Sequence, residues 1–238
     1  MGVSEIVLLV LCLMAGVIVQ RVTGMGSNLV IAPFLILIFG PVGGVVLVNM
    51  VGAVIAAILT AQLRQGIDRP VFVRLLAGAL VGCVPGVLVV RAMPEELLTP
   101  LIGAILLLGL VLSRALAGRF ARDFAHEGRS GLAVGAGFLS GATNVVSGAG
   151  GPPIAVFALV TDWDHRRFAA TYQPYFVIVA VVSVVLALVV MDDALPRLAA
   201  PVWALVVASL LAGAALGGPV AARIPVRHAR RGMILVSA

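Results

Sequence analysis

The sequence predicts an all-α membrane protein with several spans, and three observations support this fold class. Of its 238 residues, 62% are hydrophobic and 11% are charged, whereas a soluble domain carries roughly 25% charged residues. The mean hydropathy is +1.19. Apolar runs recur along the chain, and most reach or approach the ~20 residues that cross a ~30 Å hydrocarbon core: 6–19, 42–61, 75–90, 97–112, 176–191 and 201–222.

The chain also repeats itself. The stretch TGMGS at 23–27 returns as SGAGG at 147–151, a shift of 124 residues. Two polar pairs follow the same shift and a glycine pair follows a shift of 131: Gln20 with Asn144, Asn49 with Gln173, and Gly82-x-x-x-Gly86 with Gly213-x-x-x-Gly217. Ordered matches of this kind are typical of transporters built from two repeats. We therefore predict a first membrane repeat at 1–120 and a second at 121–238.

Arginine supplies all 16 basic residues, and its distribution predicts how the second half crosses the membrane. If 131–160 is a re-entrant hairpin, 13 arginines lie on one side and two on the other, as the positive-inside rule favours. The hairpin arms, 131–142 and 152–160, are each too short to span at ~1.5 Å per residue. We expect this hairpin to open to the cytoplasm of a cell with the protein in its inner membrane. The arginine-rich cytoplasmic loops are then 64–74, 114–130, 161–168 and 223–231.

The repeat predicts a matching hairpin over 5–40, opening to the outside. Each half is then a broken or re-entrant hairpin followed by about three transmembrane helices. Three crossings are an odd number, so the two halves have inverted topology. We expect the last helix to be truncated, since few residues follow Arg231.

Glycine-rich stretches interrupt both predicted hairpins, at the first tip (residues 24–28) and the second tip (residues 144–151). Irregular backbone at membrane depth is tolerated only where protein buries it or water reaches it. Each tip leads into a new helix, and a helix N-terminus offers free N–H groups and partial positive charge to an anion. We predict a substrate site for a small anion near the midplane, formed by Gln20, Arg21, Thr23, Gly24, Gly26, Ser27, Asn28, Asn49, Asn144, Ser147, Gly148, Gly150, Gly151 and Gln173.

Simpler interpretations of these residues stay open. The glycines permit tight hairpin packing, and Thr23 and Ser147 can bond a carbonyl of their own helix. The four amide side chains can hydrogen-bond between helices. Arg21 is the one basic residue beside a tip, but an arginine also snorkels to an interface or pairs with carbonyls.

Other classes of function lose support. All ten acidic residues and all three histidines fall in loops or at span ends, which disfavours cation pumps and metalloproteases. We expect no metal, no cofactor and no enzymatic activity. The net charge of +6 reflects membrane topology, so no nucleic-acid partner is expected. Aromatic residues near predicted interfaces are assigned to aromatic belts: Trp163, Tyr172, Tyr175 and Trp203.

At these residues the sequence resembles the sulfite exporter TauE/SafE family of bacterial inner-membrane permeases. The resemblance rests on the repeated glycine-rich tip, the proline after the second tip and the eight-element layout, and it covers nearly the whole chain. The first tip is less glycine-rich than the family's usual run. The resemblance implies transport of sulfite, sulfoacetate or other organosulfonates by a secondary transporter. An anion channel and a non-transporting scaffold subunit stay open as alternatives, and so does a homo-oligomer.

Overall fold

The computed structural model describes residues 2–116, 128–192 and 194–223. Within these ranges the chain is helical and contains no strand, which confirms the all-α prediction. Five of the described helices are long and apolar enough to cross a membrane. The helices are α1 (Val3–Thr23), α2 (Ser27–Leu63), α3 (Arg69–Ala92), α4 (Glu95–Leu116), α5 (Gly128–Ser147), α6 (Gly151–Val160), α7 (His165–Val190) and α8 (Ala200–Arg223).

The first hairpin consists of α1 and the part of α2 that precedes Gly40. Gly40 has φ 76° and ψ 172°, so α2 breaks there and continues from Pro41. The chain folds back at this break, because a Cβ on Gly44 would lie 2.6 Å from Ile36 Cα. Farther along, a Cβ on Gly52 would lie 2.6 Å from Asn28 Oδ1. The two parts of α2 are therefore antiparallel neighbours. That the hairpin over 5–40 is re-entrant stays a prediction.

The second hairpin consists of α5 and α6. With 10 residues, α6 is about 15 Å long, roughly half the thickness of a hydrocarbon core. A short loop after Val160 then leads into α7, whose first turn is capped by the Asp164 carboxylate at 3.0 Å from Arg167 N.

Two arginine-containing loops lie together at one end of the bundle. The backbone N–H of Asp68 donates to Thr171 Oγ1 at 2.8 Å, and a Cβ on Gly66 would lie 3.1 Å from Ala170 Cβ. The break at Gly40 lies at the opposite end, where a Cβ would lie 3.6 Å from Glu95 Oε1. The first hairpin therefore opens at the end of the bundle where Gly40 lies. The second hairpin opens at the opposite end, where α6 leads into the loop 161–164.

The halves interlock through two glycine-lined helix pairs, α3 with α5 and α1 with α8. The glycines in these two contacts are the repeated Gly-x-x-x-Gly pairs noted in the sequence. The residues that the two pairs contact are separated by 124 positions in the sequence. Gly82 and Gly86 face Phe138 and Ala142, whereas Gly213 and Gly217 face Met14 and Ile18. Equivalent contacts support a repeat, while the inverted relation of the halves stays a prediction. The repeat boundary at 120/121 and the truncated last helix lie outside the described residues.

We expect Gly82→Ala to destabilise the protein, because its added methyl group would collide with the backbone of Phe138. Overpacking of this kind costs about 1–3 kcal/mol. Gly103→Ala is the matched control, since a Cβ there meets nothing within 4 Å and mid-helix alanine is favoured over glycine by about 0.5–1 kcal/mol. Thermal unfolding in detergent compares them, and equal melting temperatures would contradict the close helix packing.

Candidate functional site

Both tips begin with the same helix end. Gly24 and Gly148, 124 residues apart, have φ values of 82° and 70°, a left-handed conformation that glycine adopts without steric cost. Each donates its N–H back to the preceding turn, Gly24 to Gln20 O and Gly148 to Asn144 O, both at 2.8 Å. This is a left-handed C-cap, and it satisfies carbonyls that the helix end would otherwise leave free.

Two buried amide pairs hold the tips in place. Gln20 Nε2 on α1 donates to Gln173 Oε1 on α7 at 2.9 Å, and Asn144 Nδ2 on α5 donates to Asn49 Oδ1 on α2 at 2.7 Å. Gln173 also donates to Gly24 O at 2.7 Å, and Asn144 Oδ1 accepts from the N–H of Gly150 at 3.2 Å. Each pair therefore fastens one tip to a long helix of the other half. The four amides form the interhelical hydrogen bonds that were their simpler interpretation.

The tips also contact each other. Asn28 Nδ2 donates to Gly148 O at 2.7 Å, while Ser27 Oγ donates to Gln20 Oε1. Gly151 lies against Met25, because a Cβ there would be 2.8 Å from Met25 Cε. The prediction that the two broken segments meet inside the bundle is supported by these contacts.

A small polar cavity lies where the tips meet. Its volume is about 10 Å³, which is room for about one water molecule. The structure therefore holds this site closed. Six of the predicted site residues line the cavity, together with four others: Gln20, Gly26, Ser27, Asn28, Gly148 and Gly151, with Leu29, Ala149, Tyr172 and Phe176.

Of the four lining residues that the sequence did not predict, Tyr172 and Phe176 are the two that lie outside the tips and their first helical turns. Tyr172 is 4% exposed, and its ring stacks on that of Phe176 with centroids 5.6 Å apart. The Tyr172 hydroxyl approaches the start of α6, 3.4 Å from the Cβ position of Gly151. It forms no hydrogen bond with any residue in the described part of the chain. This hydroxyl is available to a ligand.

The assignment of Trp163, Tyr172 and Tyr175 to an aromatic belt is wrong, because all three are buried in protein. Tyr175 donates its hydroxyl to Ser140 Oγ at 2.8 Å, and Ser140 donates to Gly150 O, so this chain of bonds supports the second tip. A signal was present in the sequence, since Phe168, Tyr172 and Phe176 recur every four residues and share one face of α7.

Several predicted residues lie near the cavity without lining it. Ser147 Oγ donates to Thr143 O of its own helix at 2.8 Å, which was its simpler interpretation. Gly150 is the N-cap of α6. Thr23 ends α1, and its side chain lies outside the described residues. Arg21 is half-buried and donates from Nη1 to Ala214 O at 3.2 Å, so its guanidinium faces α8 rather than the cavity.

Two helix starts adjoin the cavity, and they differ in the donors they offer. The first turn of any helix carries N–H groups that the helix itself does not satisfy. Ser27, Asn28 and Leu29 supply such groups at the start of α2. In α6, Pro152 and Pro153 have no N–H, so the start of that helix depends on Gly151. The first tip is therefore the richer donor surface.

The residues 8–238 match the family model described as sulfite exporter TauE/SafE. The chain belongs to this family. The match covers the tips, the amide pairs and every residue that lines the cavity, and it confirms the resemblance seen in the sequence. This is a family of membrane transporters. No curated protein and no solved structure gives a match. In the part of the chain that the structure describes, no group of His, Cys, Asp or Glu could hold a metal ion.

Asn144→Ala is expected to destabilise the protein, because it leaves buried partners on both sides without a hydrogen bond. Asn144 donates to Asn49 and to Ser183 Oγ at 2.9 Å, and it accepts from Gly150. Each buried group left unsatisfied costs about 1–3 kcal/mol. Ser209→Ala is the control, since that hydroxyl bonds only Leu205 O of its own helix. Thermal unfolding measures both variants. If Asn144→Ala loses no more stability than the control, the hydrogen bonds of Asn144 do not hold the second tip in place.

Proposed function

We propose that the protein is a permease, a secondary transporter that moves a small anion across the bacterial inner membrane. The proposed substrate class is a sulfur oxyanion, as the words 'sulfite exporter' in the family description suggest, or an organosulfonate. The observation that supports it best is the buried cavity between two opposed hairpin tips, with the Tyr172 hydroxyl available beside two helix starts. We propose no catalytic activity.

The chemistry of the cavity favours a negative ligand. Ser27, Asn28 and Tyr172 bring hydroxyl and amide groups to its wall, and the starts of α2 and α6 bring N–H groups. Among the described residues, no carboxylate lines the cavity. A charged ligand buried in a bilayer needs such donors to replace its water, and helix N-termini add partial positive charge. A cation beside the starts of α2 and α6 would meet the positive ends of both helix dipoles.

Transport requires the closed site to open to one end at a time. A cavity with room for about one water cannot hold a sulfonate group, so binding must separate the tips. The hairpins open at opposite ends of the bundle, and each tip is fastened to the other half by its amide pair. When one hairpin moves together with its amide pair, the site is exposed to one end of the bundle. When the other hairpin moves, the site is exposed to the opposite end. The arginine-rich loops mark the cytoplasmic end in this proposal.

The first experiment is thermal stabilisation of the full purified chain by sulfite, sulfate, sulfoacetate, taurine and carboxylates. A specific ligand at 100 times its Kd adds about 2.7 kcal/mol of stability. The channel alternative also binds anions, so proteoliposome flux with and without counter-substrate separates the two. If no anion stabilises the chain or crosses with it, the scaffold alternative replaces this proposal.

Tyr172→Phe tests whether the hydroxyl contacts the anion. We expect the Kd of the ligand found above to rise about 10- to 150-fold, because a hydrogen bond to a charged group contributes about 1.5–3 kcal/mol. The melting temperature without ligand should hardly change, since the hydroxyl has no hydrogen-bond partner among the described residues. Tyr175→Phe is the matched control: it loses a bond to Ser140 and some stability, but it should keep its affinity.

The Arg21→Gln variant tests whether Arg21, which the sequence predicted at the anion site, contacts the anion. Arg21 faces Ala214 in the closed structure, so it contacts the anion only if α1 and α8 shift relative to each other. Unchanged affinity in Arg21→Gln would assign Arg21 to the contact with α8. Unchanged affinity in Tyr172→Phe would remove Tyr172 from the proposed site.

A further inference from the structure

A second and much larger cavity, the lateral groove, lies on the outside of the second hairpin. It runs between α4, α5 and α6 and has a volume of about 610 Å³. Its walls include Leu108 of α4 and Leu139 of α5, which are 63% and 55% exposed, so the groove opens to the surroundings of the bundle. Those surroundings are the hydrocarbon layer of the membrane.

The lining of the lateral groove suits only an apolar occupant. Thr143 is its one polar side chain, and that hydroxyl already donates to Leu139 O at 2.8 Å. The other lining residues are aliphatic or aromatic residues, prolines and glycines. A polar or charged ligand would lose its water here without gaining a partner.

The position of the groove fits one leaflet of a bilayer. It follows α6, which is about 15 Å long, about half of a ~30 Å hydrocarbon core. Its inner end lies at Ala149 and Pro152, beside the tip cavity that Ala149 also lines. Its outer end lies at Gly131 and Val160, next to the loop that leads from α6 into α7.

Positive charge accumulates at that outer end. The loop 161–168 carries two arginines, Arg166 and Arg167, and both are exposed. Arginines beside the membrane surface attract anionic headgroups by about 1 kcal/mol each. A phospholipid with its phosphate at Arg166 and Arg167 would direct an acyl chain along α6 towards the second tip.

We propose that the lateral groove binds an acyl chain of an anionic phospholipid, and that this chain forms the outer wall of the second tip. The glycines on α5 provide the space. A Cβ on Gly131 or on Gly135 would meet nothing within 4 Å, so both positions are open to the groove. The lipid chain packs against Pro152 and Ala149, so it supports the same tip that closes the anion site.

The experiment fills the groove from within. Gly135→Leu places a side chain in the open space of the groove without a clash, and Gly103→Leu places the same side chain in open space on α4 outside it. The full chain and both variants are stripped of lipid in detergent and titrated with phosphatidylglycerol or phosphatidylcholine. Melting temperature and the lipid retained per protein, by mass spectrometry, are measured.

We expect phosphatidylglycerol to raise the melting temperature of the wild type and of Gly103→Leu, with about one lipid retained. Gly135→Leu should lose that lipid and the added stabilisation, although it melts as a folded protein. Equal lipid retention in Gly135→Leu and Gly103→Leu would overturn the proposal, and equal effects of the two lipids would overturn its headgroup part.

One further arm separates a bilayer lipid from a transported amphiphile. Decanesulfonate has an acyl-like chain and an anionic head but is no membrane lipid. If decanesulfonate stabilises the wild type and not Gly135→Leu, while phosphatidylglycerol has no effect on either, the groove belongs to the transported molecule and the proposal is wrong. Anion binding at the tips is measured separately with sulfite and taurine, so failure here leaves the transport proposal standing.

Discussion

A hydrocarbon layer offers no water to backbone N–H and C=O groups, and the structure around the tips follows from this constraint. Two helices end and two begin within the bundle, so carbonyls and N–H groups are freed where nothing outside can satisfy them. The protein satisfies several of them internally. Gly24 and Gly148 cap their own helices, Gln173 takes the carbonyl of Gly24, and Asn144 takes the N–H of Gly150. The helix breaks are tolerated inside the membrane because these hydrogen bonds are formed within the protein.

The same bonds couple the two halves. Gln173, which binds the carbonyl of the first tip, lies on a helix of the second half and is paired with Gln20. Asn144, which binds an N–H of the second tip, is paired with Asn49 on a helix of the first half. The glycine-lined contacts of α1 with α8 and of α3 with α5 add a close-packed surface on each side. Close packing of backbones resists small displacements, because each shift brings atoms into collision. Motion at the site is then favoured as a shift of whole helix pairs over the loosening of one tip.

The sequence predicted the fold and the tips because both depend on signals that are local or repeated. Hydropathy shows the helices, glycines show the breaks, and the shift of 124 residues shows which positions correspond. It did not show that Gln20 bonds Gln173, because the shift relates equivalent residues and not partners. Tyr172 was misassigned for a similar reason. An aromatic residue on an apolar helix has the same pattern whether it faces lipid or protein, and only the packing of α7 against α2 decides between them.

At the tips the backbone caps and amide pairs are repeated in the two halves, whereas the side chains that line the cavity differ between them. The caps and amide pairs repeat because both tips face the same unsatisfied groups. The lining side chains do not repeat: at a shift of 124, Tyr172 corresponds to Val48, Phe176 to Gly52 and Pro152 to Asn28. The small residues leave room for the large ones, since a Cβ on Gly52 would lie 2.9 Å from a ring carbon of Phe176. The cavity therefore has amide and hydroxyl groups of the first half facing a phenol of the second. The proposed anion would meet different donors on its two sides, so a repeated scaffold would still bind that ligand in one orientation.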